Sequence, residues 1–153
     1  MRKIYAAVAI PAASLFASQA NAIPVTLTGT VANMCTLTAT NGVLTMDATG
    51  TVLSSENVGG IAANLKVVAT GSNPTIIFTS PYLDLYLGSF NASDVTLKYT
   101  STRGANQPYT FNPSSYTEIG LLDDFTIHGK VTHSVGFVAA TYSMVTDVTC
   151  QQA

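Results

Sequence analysis

Few residues in this chain could do chemistry. Two cysteines, Cys35 and Cys150, could join as a disulfide or stay as thiols. Two histidines, His128 and His133, could act as general bases or ligate a metal. Asp123-Asp124 could hold a cation. Tyr82 and Tyr86, on one face of an alternating segment with Asp84, could stack on sugar rings or meet a protein partner.

Each candidate has a plainer reading. Alternation puts His128 on the face opposite Phe125 and Ile127, so it is expected in solvent, and His133 falls in a turn with Ser134. The pair lacks the third ligand and the helical setting of a zinc site. Calcium loops need several oxygens at regular spacing, so Asp123-Asp124 reads as a solvated turn. Ordinary cross-strand packing is the plainer account of the two tyrosines. Neither a G-x-S-x-G nor a G-x-x-x-x-G-K motif occurs. The sequence therefore gives no catalytic residue, metal ligand or cofactor-binding residue, and no cofactor is expected.

The cysteines become more informative once the compartment is read. The chain opens on Met1-Arg2-Lys3, continues through an apolar, Ala-rich run from Ile4 to Ala17, and reaches Ala20-Asn21-Ala22. A basic start, a short apolar run and an A-x-A site form a secretory signal, with cleavage after Ala22. The run is shorter than the ~20 residues a membrane span needs. Residues 1-22 are thus an expected signal peptide and 23-153 a single domain, with no membrane span after cleavage. An even cysteine count in an exported chain implies the disulfide Cys35–Cys150. A loop of that size should stabilise by roughly 4–5 kcal/mol in the chain-entropy view. A free thiol or an intermolecular bridge is the alternative.

Composition narrows the class. Of 153 residues, 9% are charged and 47% hydrophobic, with a formal net charge of −2. Disorder calls for the opposite balance, and so few basic residues exclude a typical nucleic-acid binder. Once the signal is removed, four basic residues face eight acidic ones, a net of −4.

The elements that must position these residues are strands. Apolar and polar residues alternate from Val25 to Val31, Cys35 to Thr40, Ile61 to Ala69, Leu83 to Leu87, Val95 to Thr100 and Phe125 to Val131. Thr75 to Thr79 is a compact β-branched run, and a last strand spans Thr141 to Cys150. Asn41-Gly42 signals a tight turn. Ser101 to Ser115, rich in Gly, Asn, Pro and Ser, reads as a long loop. No segment shows a 3.6-residue period. Seven to nine short strands predict an all-β fold, an immunoglobulin-like β-sandwich.

The run from Val25 to Cys35, with a G-x-V step at Gly29 and Val31, resembles the first strand of bacterial pilin-type subunits. The segments Phe125 to Val131 and Gly136 to Val148 resemble the closing hairpin of spore-coat-protein-U-like domains, relatives of chaperone–usher fimbrial subunits. The resemblance covers about a third of the mature chain. It departs from the pattern in two ways. In many such pilins the second cysteine lies in the first half of the domain, whereas here it is Cys150. Only Ile23 and Pro24 precede the strand that matches the pilin's first. Either Val25, Leu27, Gly29 and Val31 form the strand-addition segment, or they belong to the chain's own first strand and the subunit does not donate.

The resemblance implies an exported, non-enzymatic structural subunit of a fimbria-like or surface-coat assembly, joined by β-strand addition. Its partners would be other subunits of the assembly or a periplasmic chaperone, with no nucleic acid. Its location would be periplasmic, secreted or on the cell surface. The competing readings are a self-contained secreted binding module, for a carbohydrate or protein ligand, and a small hydrolase.

Overall fold

The structure is a computed structural model and describes residues 26–152. The expected signal peptide and Val25 lie outside the described residues. Twelve strands follow in chain order. They are β1 (Met34–Thr40), β2 (Thr45–Met46), β3 (Val52–Ser54), β4 (Ala63–Thr70), β5 (Thr75–Phe78) and β6 (Tyr82–Leu85). After a single 3-10 turn, Ala92–Asp94, come β7 (Val95–Ser101), β8 (Asn106–Thr110), β9 (Ser114–Thr117), β10 (Leu122–Thr132), β11 (Ser143–Val145) and β12 (Val148–Gln151).

The pairing is antiparallel throughout. The long strand β10 organises a seven-stranded sheet. One side of β10 pairs with β4 and then β3, the other with β7, which carries β8; β1 edges the sheet beyond β4, and β2 beyond β3. A second layer consists of β12-β5-β9 and the two-stranded β11-β6. The main core lies between the layers. It joins Leu65 and Val67 of β4, Leu97 and Tyr99 of β7, and Phe125 and Ile127 of β10 to Ile76 and Phe78 of β5. Phe78 stacks on Tyr99 at 4.3 Å between ring centroids and meets Phe125 at 5.7 Å. These residues occupy alternate positions, so the period-two pattern that predicts strands also selects the buried face. The fold is all-β and sandwich-like, as the sequence predicts.

Four local expectations are corrected. The first strand starts at Met34; residues 26–33 have no regular structure. The reason is geometric: Met34 lies opposite Thr70, the last residue of β4, so nothing stands across from the residues before it. Asn41-Gly42 makes no hairpin. Gly42 instead lets two backbones approach, since a Cβ there would lie 2.5 Å from the Ile61 carbonyl oxygen, beside the Val43–Ile61 bridge. The Ser101–Ser115 loop contains β8 and the start of β9. Pro108 is tolerated in β8 because this is an edge strand with a register shift against β7. The last strand divides into β11 and β12 because its partner breaks between β5 and β6. There Thr79 bridges the gap, its amide donating to the Asp147 carbonyl and its Oγ1 accepting from the Asp147 amide, both at 3.0 Å.

Candidate functional site: a groove between two free edges

The disulfide Cys35–Cys150 is formed, with Cα atoms 6.3 Å apart across a sequence separation of 115. It ties the edge strand β1 of one layer to the edge strand β12 of the other. Beside it, Gln152 Nε2 donates to the Met34 carbonyl at 2.8 Å, and its Oε1 accepts from Ser72 Oγ at 3.1 Å.

Away from this bridge the two edges part. A cavity of about 550 Å³ opens between the end of β1, with Asn41 to Leu44, and the β11–β12 segment. Leu65, Leu97 and Ile127 line it from the seven-stranded sheet; Met144 and Val148 line it from the other layer. Met144 also links the main core to a smaller cluster formed by Leu53, Val95 and Val131. Gly129, midway along β10, makes room for it: a Cβ there would lie 2.7 Å from the Met144 sulfur. Cover over β1 thins toward the opening. Its inward residues Cys35 and Leu37 are half-buried, whereas Ala39 is exposed. At the mouth, Val43 and Ile61 remain 45% and 56% exposed. Among the described residues no strand pairs with the outer edge of β1 or of β12. The site therefore combines a mixed interior, in which Leu65, Leu97, Ile127, Met144 and Val148 lie beside Thr40, Asn64, Ser143 and Thr146, with two free strand edges, a template for another extended chain.

The sequence-derived candidates fall as follows. Leu27 and Val31 are 92% and 74% exposed on the irregular arm before β1. Gly29 lies in open space. Val25 precedes the described residues. Tyr82 of β6 and Tyr86, just past its end, are 44% and 49% exposed. Tyr86 meets Phe90 edge-on at 5.7 Å, and Phe90 also packs against His133, Phe137 and Tyr142. His133 sits in its expected turn, its Nδ1 2.7 Å from the Gly136 carbonyl.

Two polar readings are corrected. His128 is half-buried rather than free in solvent, because Ser55 of the adjoining segment covers it; Ser55 Oγ lies 3.1 Å from its Nδ1 and accepts from the Gly129 amide at 3.2 Å. The neighbouring carboxylate, Glu56, is held by Lys98 Nζ at 2.5 Å and the Tyr109 hydroxyl at 2.7 Å. Those two bonds draw Glu56 below the ordinary carboxylate range, and burial with the Glu56 bond pushes the Tyr109 hydroxyl up to about 12. Lys130 lies over the Tyr109 ring at 4.3 Å. Among the described residues no carboxylate accepts a hydrogen bond from His128.

Asp123 is not in a solvated turn. It is 2% exposed because alternation along β10 turns it inward with Phe125. Its Oδ1 accepts from Thr102 Oγ1 at 2.6 Å, the Arg103 amide at 3.0 Å and its neighbour Asp124's amide at 2.8 Å. Burial opposes its ionisation, yet these donors outweigh that and hold it below the usual value. Beside it, Glu118 is fully buried. Neither Glu118 oxygen, nor Asp123 Oδ2, has a well-formed hydrogen bond. Burial first, and the Asp123 charge second, push the Glu118 carboxyl up to about 7, with Arg103 countering weakly. Sequence reasoning missed Glu118, although Tyr116 and Glu118 lie on the inward parity of β9 and its continuation. Among the described residues no three or more His, Cys, Asp or Glu side chains cluster as metal ligands.

Comparison with family models, curated proteins and solved structures finds no match for this chain. The reading of the groove therefore rests on its own geometry.

Proposed function

We propose that this chain is an exported, non-enzymatic structural subunit of a fimbria-like or surface-coat assembly, joined to its neighbours by β-strand addition. In this reading the fold is an immunoglobulin-like sandwich of the pilin or spore-coat-protein-U kind, released by cleavage after Ala22. The partly apolar groove between the free edges of β1 and β12 carries the proposal. The arm supplies a fitting occupant: Leu27, Gly29 and Val31 alternate, and none is covered in its own subunit. An added strand satisfies the backbone groups on both edges and lowers alternate side chains into the cavity.

The test is the mass of the mature protein purified from the periplasm, read across a concentration series. Oligomers are expected. Leu27→Asp should remove them while leaving the monomer's unfolding unchanged, because Leu27 is 92% exposed in the monomer. A wild-type protein that stays monomeric at every concentration overturns the assembly reading. It would favour a self-contained binding module, for which the exposed Tyr82 and Tyr86 are the available face.

A further inference from the structure

Asn41-Gly42, a turn signal that makes no turn, lies in exposed, irregular backbone between the end of β1 and the Val43–Ile61 bridge. It is the one Asn-Gly pair in the chain. An asparagine in this setting can react with its own backbone. The nitrogen of the following residue attacks the side-chain Cγ, and glycine leaves that path clear because it has no Cβ. The reaction needs a free side-chain amide, a following N–H held in no hydrogen bond, and room for the backbone to turn.

The other asparagines among the described residues each lack one of these. Asn73 and Asn112 precede Pro74 and Pro113, which carry no N–H. Asn64 and Asn106 lie within β4 and β8. The side-chain amides of Asn33, Asn57 and Asn91 donate to Ser72 Oγ at 3.3 Å, the Thr45 carbonyl at 2.7 Å and the Asp94 carboxylate at 3.2 Å. Among the described residues the Asn41 amide has no such acceptor, and the Gly42 amide donates no hydrogen bond. What restrains Gly42 is the bridge beyond it. Val43 N donates to the Ile61 carbonyl at 2.8 Å, and Ile61 N to the Val43 carbonyl at 2.9 Å. This bridge stands outside the named strands, between two exposed residues, so it opens at far lower cost than the sheet.

We propose that Asn41 is a self-modification site, converted to isoaspartate through a ring closed by the Gly42 nitrogen, and that the conversion unlocks the Val43–Ile61 bridge at the mouth of the groove. The Gly42 nitrogen gives its proton to hydroxide and bonds to Asn41 Cγ. The Cγ–Nδ2 bond breaks, and ammonia leaves. Water then opens the cyclic imide. Attack at the Asn41 main-chain carbonyl reroutes the backbone through Cγ and gives isoaspartate; attack at Cγ gives aspartate. Nothing is oxidised or reduced, and water is the reagent consumed. Isoaspartate adds one main-chain carbon and one negative charge. Gly42 already lies so close to the neighbouring segment that a Cβ would stand 2.5 Å from the Ile61 carbonyl oxygen and 2.7 Å from the Ala63 nitrogen. A lengthened main chain there cannot keep Val43 in register with Ile61. This holds whatever occupies the groove.

The experiment incubates the folded, disulfide-intact mature protein at pH 8 in heavy-oxygen water, so that only conversion during the incubation carries the label. Peptide mass spectrometry then reads each asparagine, with chromatography separating aspartate from isoaspartate. Position 41 should convert on the order of tenfold faster than Asn57, Asn64, Asn91 or Asn106, since only its ring closure meets no Cβ. Asn41→Gln should stay unlabelled at position 41. Conversion no faster than at the other asparagines overturns the site. So does an Asn41 that stays intact in the folded protein yet converts in urea. The second readout is amide hydrogen exchange on the isoaspartate fraction, where Val43 and Ile61 should exchange on the order of tenfold faster than in fresh protein. Asn41→Asp carries the charge without the extra carbon and should keep the fresh protein's exchange. Equal exchange in the isoaspartate fraction and fresh protein, or fast exchange in Asn41→Asp, overturns the unlocking.

Discussion

Replacing Glu118 with Gln should change how stability depends on pH, and in a direction opposite to most carboxylate substitutions. Glu118 is fully buried and its carboxyl is pushed up to about 7, chiefly by burial. The unfolded chain ionises it near the ordinary value of 4.5. Between these values the folded protein holds a proton that the unfolded chain releases. Stability therefore falls as pH rises through that window, and the loss is complete above about pH 7. At 1.36 kcal/mol per unit, the gap corresponds to something on the order of 3 kcal/mol. Asp123 works with the opposite sign. Its value is lowered, so its contribution is present above the ordinary carboxylate range and lost in acid. Together they place an optimum near the acid end of the window. A Gln side chain at position 118 keeps the shape but cannot ionise. Glu118→Gln should unfold at higher urea than wild type at pH 8, with little difference at pH 4.5. Urea denaturation across pH 4 to 8, followed by far-ultraviolet circular dichroism, makes the comparison. A wild-type curve that is flat between pH 5 and 7, or a variant that keeps the wild-type slope, refutes the assignment.

Three further outcomes follow from the packing. Reducing Cys35–Cys150, which closes a separation of 115 residues, should cost up to about 5 kcal/mol of folding stability, less where the unfolded chain keeps residual structure; urea midpoints with and without reductant measure it. Gly129→Ala should cost roughly 1–3 kcal/mol, because the new Cβ meets Met144 Sδ at 2.7 Å; in a double-mutant cycle the same change should cost less in a Met144→Ala background. Phe78→Ala, which removes a fully buried ring stacked on Tyr99, should cost about 3–5 kcal/mol; equilibrium unfolding checks it, and a loss under 1 kcal/mol would mean that the core has been misplaced.

What the sequence determined by itself is the local and periodic part of this protein. Alternation at Leu65, Val67 and Ala69, at Val95, Leu97 and Tyr99, and at Phe125 and Ile127 marks strands and their buried faces, because side chains on a pleated strand repeat every second residue. Two cysteines leave one intramolecular pairing to expect, and that pairing is present. Tertiary structure alone decided the rest. The arm around Leu27 has the pattern of a strand but forms none, because pairing needs a neighbour and β4 ends at Thr70. Asp123 reads as solvent-facing and Glu118 attracts no notice in the sequence, yet parity carries both inward, where Thr102 and the backbone amides hold Asp123. The break between β11 and β12 is set by their partner at Thr79. The groove, too, is invisible in the sequence: it arises where two edges distant along the chain meet at a sulfur bridge and then diverge, and no local pattern encodes the distance between them.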